Sequence, residues 1–339
     1  MADAPPERVN IRHIARLAGV SHMTVSRVLS GSESVRESTR ERVLDVVNEL
    51  NFRPNSAARA LATRRTQRIG VMVEDSSVTG PESALRAVES AARDVGYSVT
   101  SAALASDAGL STEEAVSSLT AQGIDALCVI APRSSSVAAL RRIRIEVPVL
   151  VVKADPDPTF LTAAVDQRRG SELVVDHLAG LGHREILHVA GPLDWLDARA
   201  RERAYHARVK EWGIRPRPIV VGDWSADFGY EYARGFRRMP DATAIFAAND
   251  EMAIGIIHGL HEAGFRVPED VSVVGFDDLA IARHVLPPLT TVRQDFAALG
   301  GSVVSALRAA AEGEEIPQTT RITPELVARA STAPPRTDA

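Results

Sequence analysis

Residues 9–29 read VNIRHIARLAGVSHMTVSRVL, and this stretch decides the fold of the N-terminal segment. Its first apolar residues, at positions 11, 14, 15, 17 and 18, are spaced for one buried helical face, and Gly19 ends that helix. Ser21 is a suitable N-cap for a second short helix, whose apolar face is formed by Val25, Val28 and Leu29. Two short helices joined by a glycine-containing turn are typical of a helix-turn-helix, although unrelated helical hairpins share this spacing.

Charge is distributed unevenly along the chain. Residues 1–68 hold 12 arginines and seven acidic residues, a net charge of +5, whereas the whole chain has a net charge of -5. A third helix is predicted over 38–50, and a polar basic stretch follows at 63–68. A basic head on an acidic body predicts that only the head meets phosphate groups.

From residue 69 onward, apolar strands alternate with helices. This alternation predicts parallel sheets covered by helices on both faces, and the strands are too many for one modest sheet, so two Rossmann-like lobes are expected. Ligands of such sheets bind beyond the carboxyl ends of the strands. The predicted strands are 69–73, 98–104, 126–131, 147–152, 163–166, 186–190, 219–221, 244–248 and 271–276, and the predicted helices are 81–96, 112–122, 135–144, 168–181, 196–213, 228–239 and 251–264.

Composition places the chain among ordinary globular proteins, with 45% hydrophobic and 24% charged residues. No apolar run approaches the ~20 residues of a membrane helix. The polar stretch 1–10 lacks the apolar core of a signal peptide, which favours a cytoplasmic location without a membrane partner. Cys128 lies in an apolar run and is expected to be a buried thiol. The histidines are scattered, and neither a P-loop nor zinc-ligand spacing occurs, so we expect no metal, no cofactor and no enzyme activity.

Residues 9–29 strongly resemble the headpiece of the LacI/GalR family of bacterial repressors. The resemblance continues through 51–55, 60–62, 191–193, 222–226, 248–250, 275–278 and 288–296. It implies a small all-α helix-turn-helix headpiece plus an α/β two-lobed, periplasmic-binding-protein-like (type I) sensor domain. The implied domains are a headpiece over 9–54, a hinge helix and linker over 55–68, an N-terminal lobe over 69–165 with 294–323, and a C-terminal lobe over 166–293 with 324–332.

The resemblance makes residues 21–30 a recognition helix that enters the major groove of DNA. His22 and Met23 occupy the two positions that the family varies to choose operators, where histidine donates or accepts and methionine offers only apolar contact. Arg27 fits the family's base-reading arginine, with a phosphate contact as the alternative. The hydroxyls predicted to bond phosphates are those of Ser21, Thr24 and Ser26, of which the last two could equally be plain surface residues.

The resemblance also implies a hinge helix that pairs with its partner's in the minor groove. Asn55 can cap this helix, and Leu61 matches the family's minor-groove wedge. The alternative is that Leu61 and Ala58 only pack the two hinge helices together. A helix of about eight residues is marginal in water, so the hinge can be disordered off DNA and ordered on it.

Polar side chains that follow the strands of the predicted lobes form the expected effector site, which is most similar to that of the family's lactose-responsive members. Arg199 follows 191–193 at the family spacing, Asn249 follows strand 244–248, and Asp277 follows strand 271–276. An arginine, an amide and a carboxylate suit a polyhydroxylated ligand. Trp224 offers a face for a pyranose ring, and Phe296 closes the opposite side. The alternatives are an Arg199–Asp277 pair, a helix-capping Asn249, and plain core roles for the two aromatic residues.

Two residues depart from the family pattern. Lys153 stands where the lactose-responsive members have a pocket carboxylate, and Glu74 stands where they have a serine. An ion pair between Glu74 and Lys153 across the cleft would explain both changes together, and we favour it. The alternative is that Lys153 meets an acidic or phosphorylated sugar. Both interpretations place lactose itself in doubt and leave a different glycoside as the expected effector.

The sequence therefore predicts a transcriptional repressor of a sugar-utilisation operon that binds a pseudo-palindromic, double-stranded operator. A two-fold operator requires a homodimer, and the tail 331–339 lacks the leucine heptads of a tetramer. The alternative effectors are a purine, a phosphorylated ligand or a protein corepressor. A transport protein would share the two-lobed body, but the headpiece argues against that class.

Overall fold

The computed structural model describes residues 10–29, 34–50, 52, 65–74, 79–104, 110–130, 133–237 and 242–336. The chain folds into two compact units, Met1–Thr66 and Gln67–Ala339. We call the first unit the headpiece and the second unit the body, and each is described by itself.

Three helices form the described part of the headpiece: α1 (Ile11–Ala18), α2 (His22–Leu29) and α3 (Glu37–Glu49). The Asn10 side chain caps α1 by accepting from the His13 N–H over 3.0 Å. The helix ends at Gly19, whose φ of 63° lies in the left-handed region that glycine adopts without strain. The Ser21 hydroxyl accepts from the Thr24 N–H over 3.1 Å, so Ser21 caps α2 as the sequence predicts.

The headpiece core joins all three helices. Ile14, Val25 and Val43 are fully buried, and Val28 is nearly so. The prediction for Leu17 was wrong, because this side chain is 54% exposed rather than inward. Position 17 lies about 110° around the helix from the centre of the buried stripe at 14, 15 and 18, since successive helical residues rotate by about 100°.

Two parallel sheets make up most of the body. The first contains β1 (Arg68–Glu74), β2 (Ser98–Leu104), β3 (Ala126–Ile130), β4 (Val149–Val152), β5 (Leu161–Val165) and β11 (Thr319–Ile322), in the order β11-β5-β4-β3-β1-β2. The second contains β6 (Ile186–Ala190), β7 (Val220–Val221), β8 (Ala244–Ala247) and β9 (Ser272–Val274), in the order β7-β6-β8-β9. We call these the first and second lobes.

Helices connect the strands of both lobes. Those of the first lobe are α4 (Thr79–Asp94), α5 (Thr112–Ala121), α6 (Ser134–Leu140) and α11 (Phe296–Glu312), and those of the second lobe are α7 (Gln167–Gly180), α8 (Leu196–Glu211), α9 (Ala226–Arg234) and α10 (Asp250–Glu262). Each lobe has its own apolar core between sheet and helices. Cys128 lies buried in β3, where desolvation raises the pKa of its thiol to about 12.

The chain passes between the lobes more than once. It leaves β5 for α7, returns from β10 (Thr291–Arg293) to α11, and leaves β11 for β12 (Glu325–Val327), which pairs antiparallel with β10. Pattern reading did not predict β10, β11, β12 or α11 as elements. No helix in the described ranges is long and apolar enough to cross a membrane.

Candidate functional site

A cavity of about 610 Å³, open solvent included, lies between the two lobes of the body. Its lining residues follow the carboxyl ends of strands in both lobes, as the topology of open parallel sheets predicts. The wall from the first lobe is apolar and consists of Gly80, Pro81, Ala84, Ile130, Val152, Ala164, Val165, Phe296 and Leu299. The wall from the second lobe is largely polar and consists of Gln167, Trp195, Asp197, Arg201, Trp224, Asn249, Asp277 and Gln294.

Four side chains of the polar wall form a closed ring. Arg201 Nε donates to Gln167 Oε1 over 2.8 Å, and Gln167 Nε2 donates to Gln294 Oε1 over 2.9 Å. Gln294 Nε2 then donates to Asp277 Oδ1 over 2.6 Å, and that oxygen lies 3.7 Å from Arg201 Nη2. Gln167 and Gln294 both stand beside segments that cross between the lobes. The ring therefore links the cavity to the segments that cross between the lobes.

The arginine in this ring is not the one that the sequence spacing indicated. Arg199 is exposed, whereas Arg201 is 5% exposed and stacks its guanidinium 3.8 Å from the centre of the Phe276 ring. Its Nη1 also donates to the carbonyl of Ala248. The prediction of Arg199 as the cavity arginine was therefore wrong, and so was the alternative Arg199–Asp277 pair.

Asp277 and Trp224 hold unusual backbone conformations at the cavity. Their φ angles are 116° and 74°, in a region that residues other than glycine seldom adopt and that is associated with functional sites. Burial raises the pKa of Asp277 to about 7, against the lowering effect of the Arg201 charge. At neutral pH the Asp277 carboxyl group is thus poised between its neutral and ionised forms.

Asn249 combines two of the roles considered for it. It lines the cavity, and its side-chain oxygen accepts from the Met252 N–H over 3.1 Å, which caps α10. The amide nitrogen donates to the Trp224 carbonyl over 2.8 Å and to Glu251 over 2.8 Å. Asn249 therefore holds the Trp224 loop against the start of α10.

The predicted Glu74–Lys153 ion pair is wrong. Lys153 Nζ lies 2.9 Å from Asp157 Oδ2, and both side chains are almost fully buried. Although burial opposes ionisation, hydrogen bonds from Lys153 and the local backbone lower the pKa of Asp157 to about 2. Glu74 and Lys153 lie at the ends of β1 and β4 in the same sheet, with β3 between them, whereas Asp157 is only four residues from Lys153 in the chain.

Glu74 is held by a separate set of partners. Its carboxylate accepts from the Ser136 hydroxyl and the Arg133 N–H, and the Arg133 guanidinium lies 3.9 Å away. Burial nevertheless raises the pKa of Glu74. Glu74 and Lys153, the two residues that depart from the family pattern, therefore both have their partners within the first lobe.

Sequence reading identified four residues that line the cavity: Trp224, Asn249 and Asp277 of the polar wall and Phe296 of the apolar wall. It missed the other residues of the polar wall. Trp195 and Asp197 lie on either side of the start of α8, shortly after the landmark 191–193. Gln167 follows β5 closely, so the strand-end rule could have indicated it. Gln294 lies within the motif 288–296 but had no role assigned to it.

The recognition helix of the headpiece presents its polar residues outward. His22, Met23, Ser26 and Arg27 are exposed, and Met23 reaches 56% exposure, whereas Val25 and Val28 face the core. The Thr24 hydroxyl lies 2.9 Å from the Ser21 hydroxyl, so these two groups bond each other. The predicted hinge residues Asn55, Ala58 and Leu61 lie outside the described residues.

A helix-turn-helix unit on a two-lobed, cavity-bearing body defines a class of bacterial regulatory proteins. Residues 10–55 match the description "Bacterial regulatory proteins, lacI family", and residues 175–332 match "Periplasmic binding protein-like domain". The chain belongs to the lacI family, since it is 33% identical to the lactose operon repressor of Escherichia coli (strain K12) over 97% of this chain and 92% of that protein.

Solved structures and a second relative agree with this assignment. The lac repressor dimer bound to operator and the anti-inducer ONPF superposes with a TM-score of 0.81 at 32% identity, covering 96% of this chain and 100% of that one. The complex of the regulator CelR with cellobiose gives 0.72 at 28% identity with the same coverage. The repressor PurR of Haemophilus influenzae (strain PittEE) is 32% identical over 95% of this chain and 98% of that protein.

Proposed function

We propose that this chain is a cytoplasmic, dimeric repressor whose affinity for a pseudo-palindromic operator is set by a small sugar or glycoside bound between the lobes. The regulated genes would be those of a sugar-utilisation operon. The headpiece would read the operator, and the body would bind the effector.

The observation that carries this proposal is the contrast between the two walls of the cavity. A sugar ring presents hydroxyl groups around its edge and C–H groups on its faces. Arg201 supplies N–H groups, and Asp277 and the Asn249 side-chain oxygen supply acceptors for paired hydroxyls, whereas the apolar wall suits C–H groups or an apolar aglycone. Trp224 and Trp195 add aromatic surface on the polar side.

The relatives point to two effector classes. The lac repressor and CelR structures contain ONPF and cellobiose, respectively, whereas PurR is named for purines. A purine is a flat heterocycle with few donors and acceptors, all in one plane. A wall with an arginine, an amide and two carboxyl groups suits a polyol better, which favours the sugar.

For DNA, the proposal assigns base contacts to His22, Met23 and Arg27, because these side chains are exposed on the recognition helix. Ser26 is the hydroxyl best placed for a phosphate contact. The Ser21–Thr24 bond gives those two hydroxyls a capping role, which does not prevent a further bond to a phosphate oxygen. The minor-groove wedge at Leu61 remains part of the proposal on the family resemblance.

Operator binding by the purified protein tests this function. Fluorescence anisotropy would follow its affinity for DNA from its own gene neighbourhood, with and without glucose, galactose, lactose, cellobiose, hypoxanthine or guanine. We expect one sugar to change the operator affinity at least ten-fold. A response to a purine alone would contradict the sugar assignment and leave the operator-binding part intact.

Two variants test whether that response depends on the cavity. They are Arg201→Lys and its matched control, Arg199→Lys. The Arg201 variant keeps the positive charge but loses the planar fork that bonds Gln167 and Ala248 together. We expect it to bind operator and to lose the response to the sugar. The exposed Arg199 variant should respond like the wild type, and equal losses in both variants would count against the ring.

A further inference from the structure

Two polar atoms in the cavity wall are buried and lack a hydrogen-bond partner among the residues that the structure describes. One is Nε1 of Trp224, a side chain that is 8% exposed, and the other is Oδ1 of the half-buried Asp197. Native proteins keep few such atoms, because a buried donor or acceptor without a partner loses its bonds to water. One of these atoms is a donor and the other an acceptor, and both belong to the lining of one cavity.

The two residues lie on either side of Arg201. Asp197 precedes it by one turn of α8. Burial raises the pKa of the Asp197 carboxyl group, against the Arg201 charge and a hydrogen bond from the Ala154 N–H, and Oδ1 is the oxygen without a partner. The centre of the Trp224 ring lies 5.7 Å from Arg201 Cζ and 5.8 Å from the centre of the Trp195 ring. Trp195 is close to Asp197 in the chain, so both unpartnered atoms belong to the same corner of the polar wall.

We propose that Asp197 and Trp224 form a hydrogen-bonding subsite for an uncharged effector, in which the Asp197 carboxyl group accepts from an effector hydroxyl and the Trp224 indole N–H donates to an effector oxygen. This subsite deepens the proposed function and rests on it. It gives Trp224 a bonding role in addition to the stacking role that the sequence predicts.

The charges of the described cavity lining disfavour an acidic or phosphorylated effector. Among the lining residues that the structure describes, Arg201 is the one cation, and Asp197 and Asp277 are the carboxyl groups. The Arg201 guanidinium already donates to Gln167 and to the Ala248 carbonyl and lies 3.7 Å from Asp277. Lys153, which could have met an acidic sugar, is paired with Asp157 within the first lobe. A phosphate group would thus have to compete with Gln167, Ala248 and Asp277 for the Arg201 guanidinium.

Helix N-termini do not reverse this conclusion, although three of them start near the cavity. Helix N-termini attract anions, but the first turns of α8, α9 and α10 already carry Asp197, Asp227, Asp250 and Glu251. These acidic side chains already occupy the first turns that an incoming phosphate would have to approach.

Trp224 is also held so that its ring cannot swing aside. A Cβ built at Gly191 would approach three atoms of the Trp224 ring within 2.5 Å, so the six-membered part of the indole packs directly on that backbone. The unpartnered N–H is therefore at a fixed place in the wall. A fixed donor discriminates between sugars by the position of their oxygens.

The test is calorimetric binding to the full chain with four sugars, each paired with its 6-phosphate: glucose, galactose, lactose and cellobiose. We expect one uncharged sugar to bind and its phosphate to bind at least ten-fold more weakly. Asp197→Asn keeps the shape and removes the charge, and it should weaken that sugar about five-fold or more. Trp224→Phe keeps an aromatic ring and removes the N–H, and it should weaken the sugar about three-fold or more.

The matched control is Asp227→Asn, which removes an exposed carboxylate from the first turn of α9 and should leave sugar binding unchanged. Sugar binding that is unaltered in both Asp197→Asn and Trp224→Phe would overturn the subsite while the proposed function stands. A 6-phosphate that binds as tightly as its parent sugar would overturn the charge argument. If none of these sugars bound and only a purine changed operator affinity in the anisotropy experiment, the proposed function would fall and the subsite with it. Asp197→Asn is nearly isosteric, whereas Trp224→Phe is smaller by the size difference between indole and phenyl, so Asp197→Asn decides the question if Trp224→Phe fails to fold.

Discussion

At the scale of single residues, Asp277 connects the chemistry of the cavity with the stability of the body. Its carboxyl group is buried, accepts from Gln294 over 2.6 Å and shares the cavity with a second carboxyl group, Asp197. Burial raises its pKa to about 7, from 3.8 in an unfolded chain. The folded protein therefore keeps a proton on this group in a pH range where the unfolded chain has lost it.

This difference gives a stability profile with a defined sign. The contribution of Asp277 is fully present below about pH 4 and is lost as pH rises to about 7, with a slope of about 1.4 kcal/mol per pH unit. Asp277→Asn cannot titrate. Between pH 4 and 7 the free energy of unfolding of the variant should therefore gain relative to that of the wild type, because only the wild type loses this contribution. Urea unfolding at several pH values measures this gain. The exposed Asp94→Asn should follow the wild-type profile, and a constant difference for Asp277→Asn would show that Asp277 ionises normally.

The choice between Arg199 and Arg201 shows where sequence reading failed at this scale. The two residues are two positions apart on α8, so their side chains point about 200° apart around the helix. Ala198, Tyr205 and Val209 are buried and mark the inward stripe, and Arg201 lies one turn from both Ala198 and Tyr205. Helical periodicity within this chain would therefore have indicated Arg201, whereas family spacing counted along the chain gave Arg199.

At the scale of elements, the alternating pattern was sufficient for β1 to β9 of the two parallel sheets and for the helices α4 to α10 that connect them. It was not sufficient for β10, β11 and β12, because these strands have three or four residues and are not wholly buried. Short, half-exposed strands lack the apolar run that identifies a central parallel strand. Their pairing is also set by distant partners, such as β5 for β11, which local sequence does not reveal.

The contact between α9 and α10 depends on glycine, and it gives a prediction at this scale. A Cβ at Gly255 would lie 1.9 Å from the Ala226 carbonyl oxygen, so the two backbones pack without any intervening side chain. Gly255→Ala must push the helices apart, and we expect it to lower the free energy of unfolding by about 3 kcal/mol. Thermal and urea unfolding measure this loss.

Gly301→Ala is the matched control for that change. Gly301 lies in α11 with nothing within 4 Å of its added Cβ, so the substitution only removes the cost of glycine in a helix. We expect a gain of about 0.5–1 kcal/mol. A gain of similar size in both variants would mean that helix propensity, rather than the α9–α10 contact, controls the result.

At the scale of the whole molecule, charge separates the two activities. The segment 1–68 has a net charge of +5 within a chain whose total is -5, so the body is strongly acidic. The body therefore repels DNA, and the affinity for phosphate has to come from the headpiece and the hinge segment. In the part of the cavity that the structure describes, by contrast, one cation faces two carboxyl groups, one of them partly neutral near pH 7.

These two environments should respond differently to salt. If the two headpieces of the proposed dimer neutralise six or more phosphates, operator affinity should fall about 10³-fold or more between 50 and 200 mM salt. An uncharged effector releases no counterions and binds in a partly buried cavity, so its affinity should change less than about two-fold over the same range. Anisotropy with labelled operator and calorimetry with the responding sugar measure the two slopes in the same buffers. A shallow operator slope would mean that the basic headpiece contacts few phosphates, and a steep effector slope would mean that the effector carries charge, against the subsite of Asp197 and Trp224.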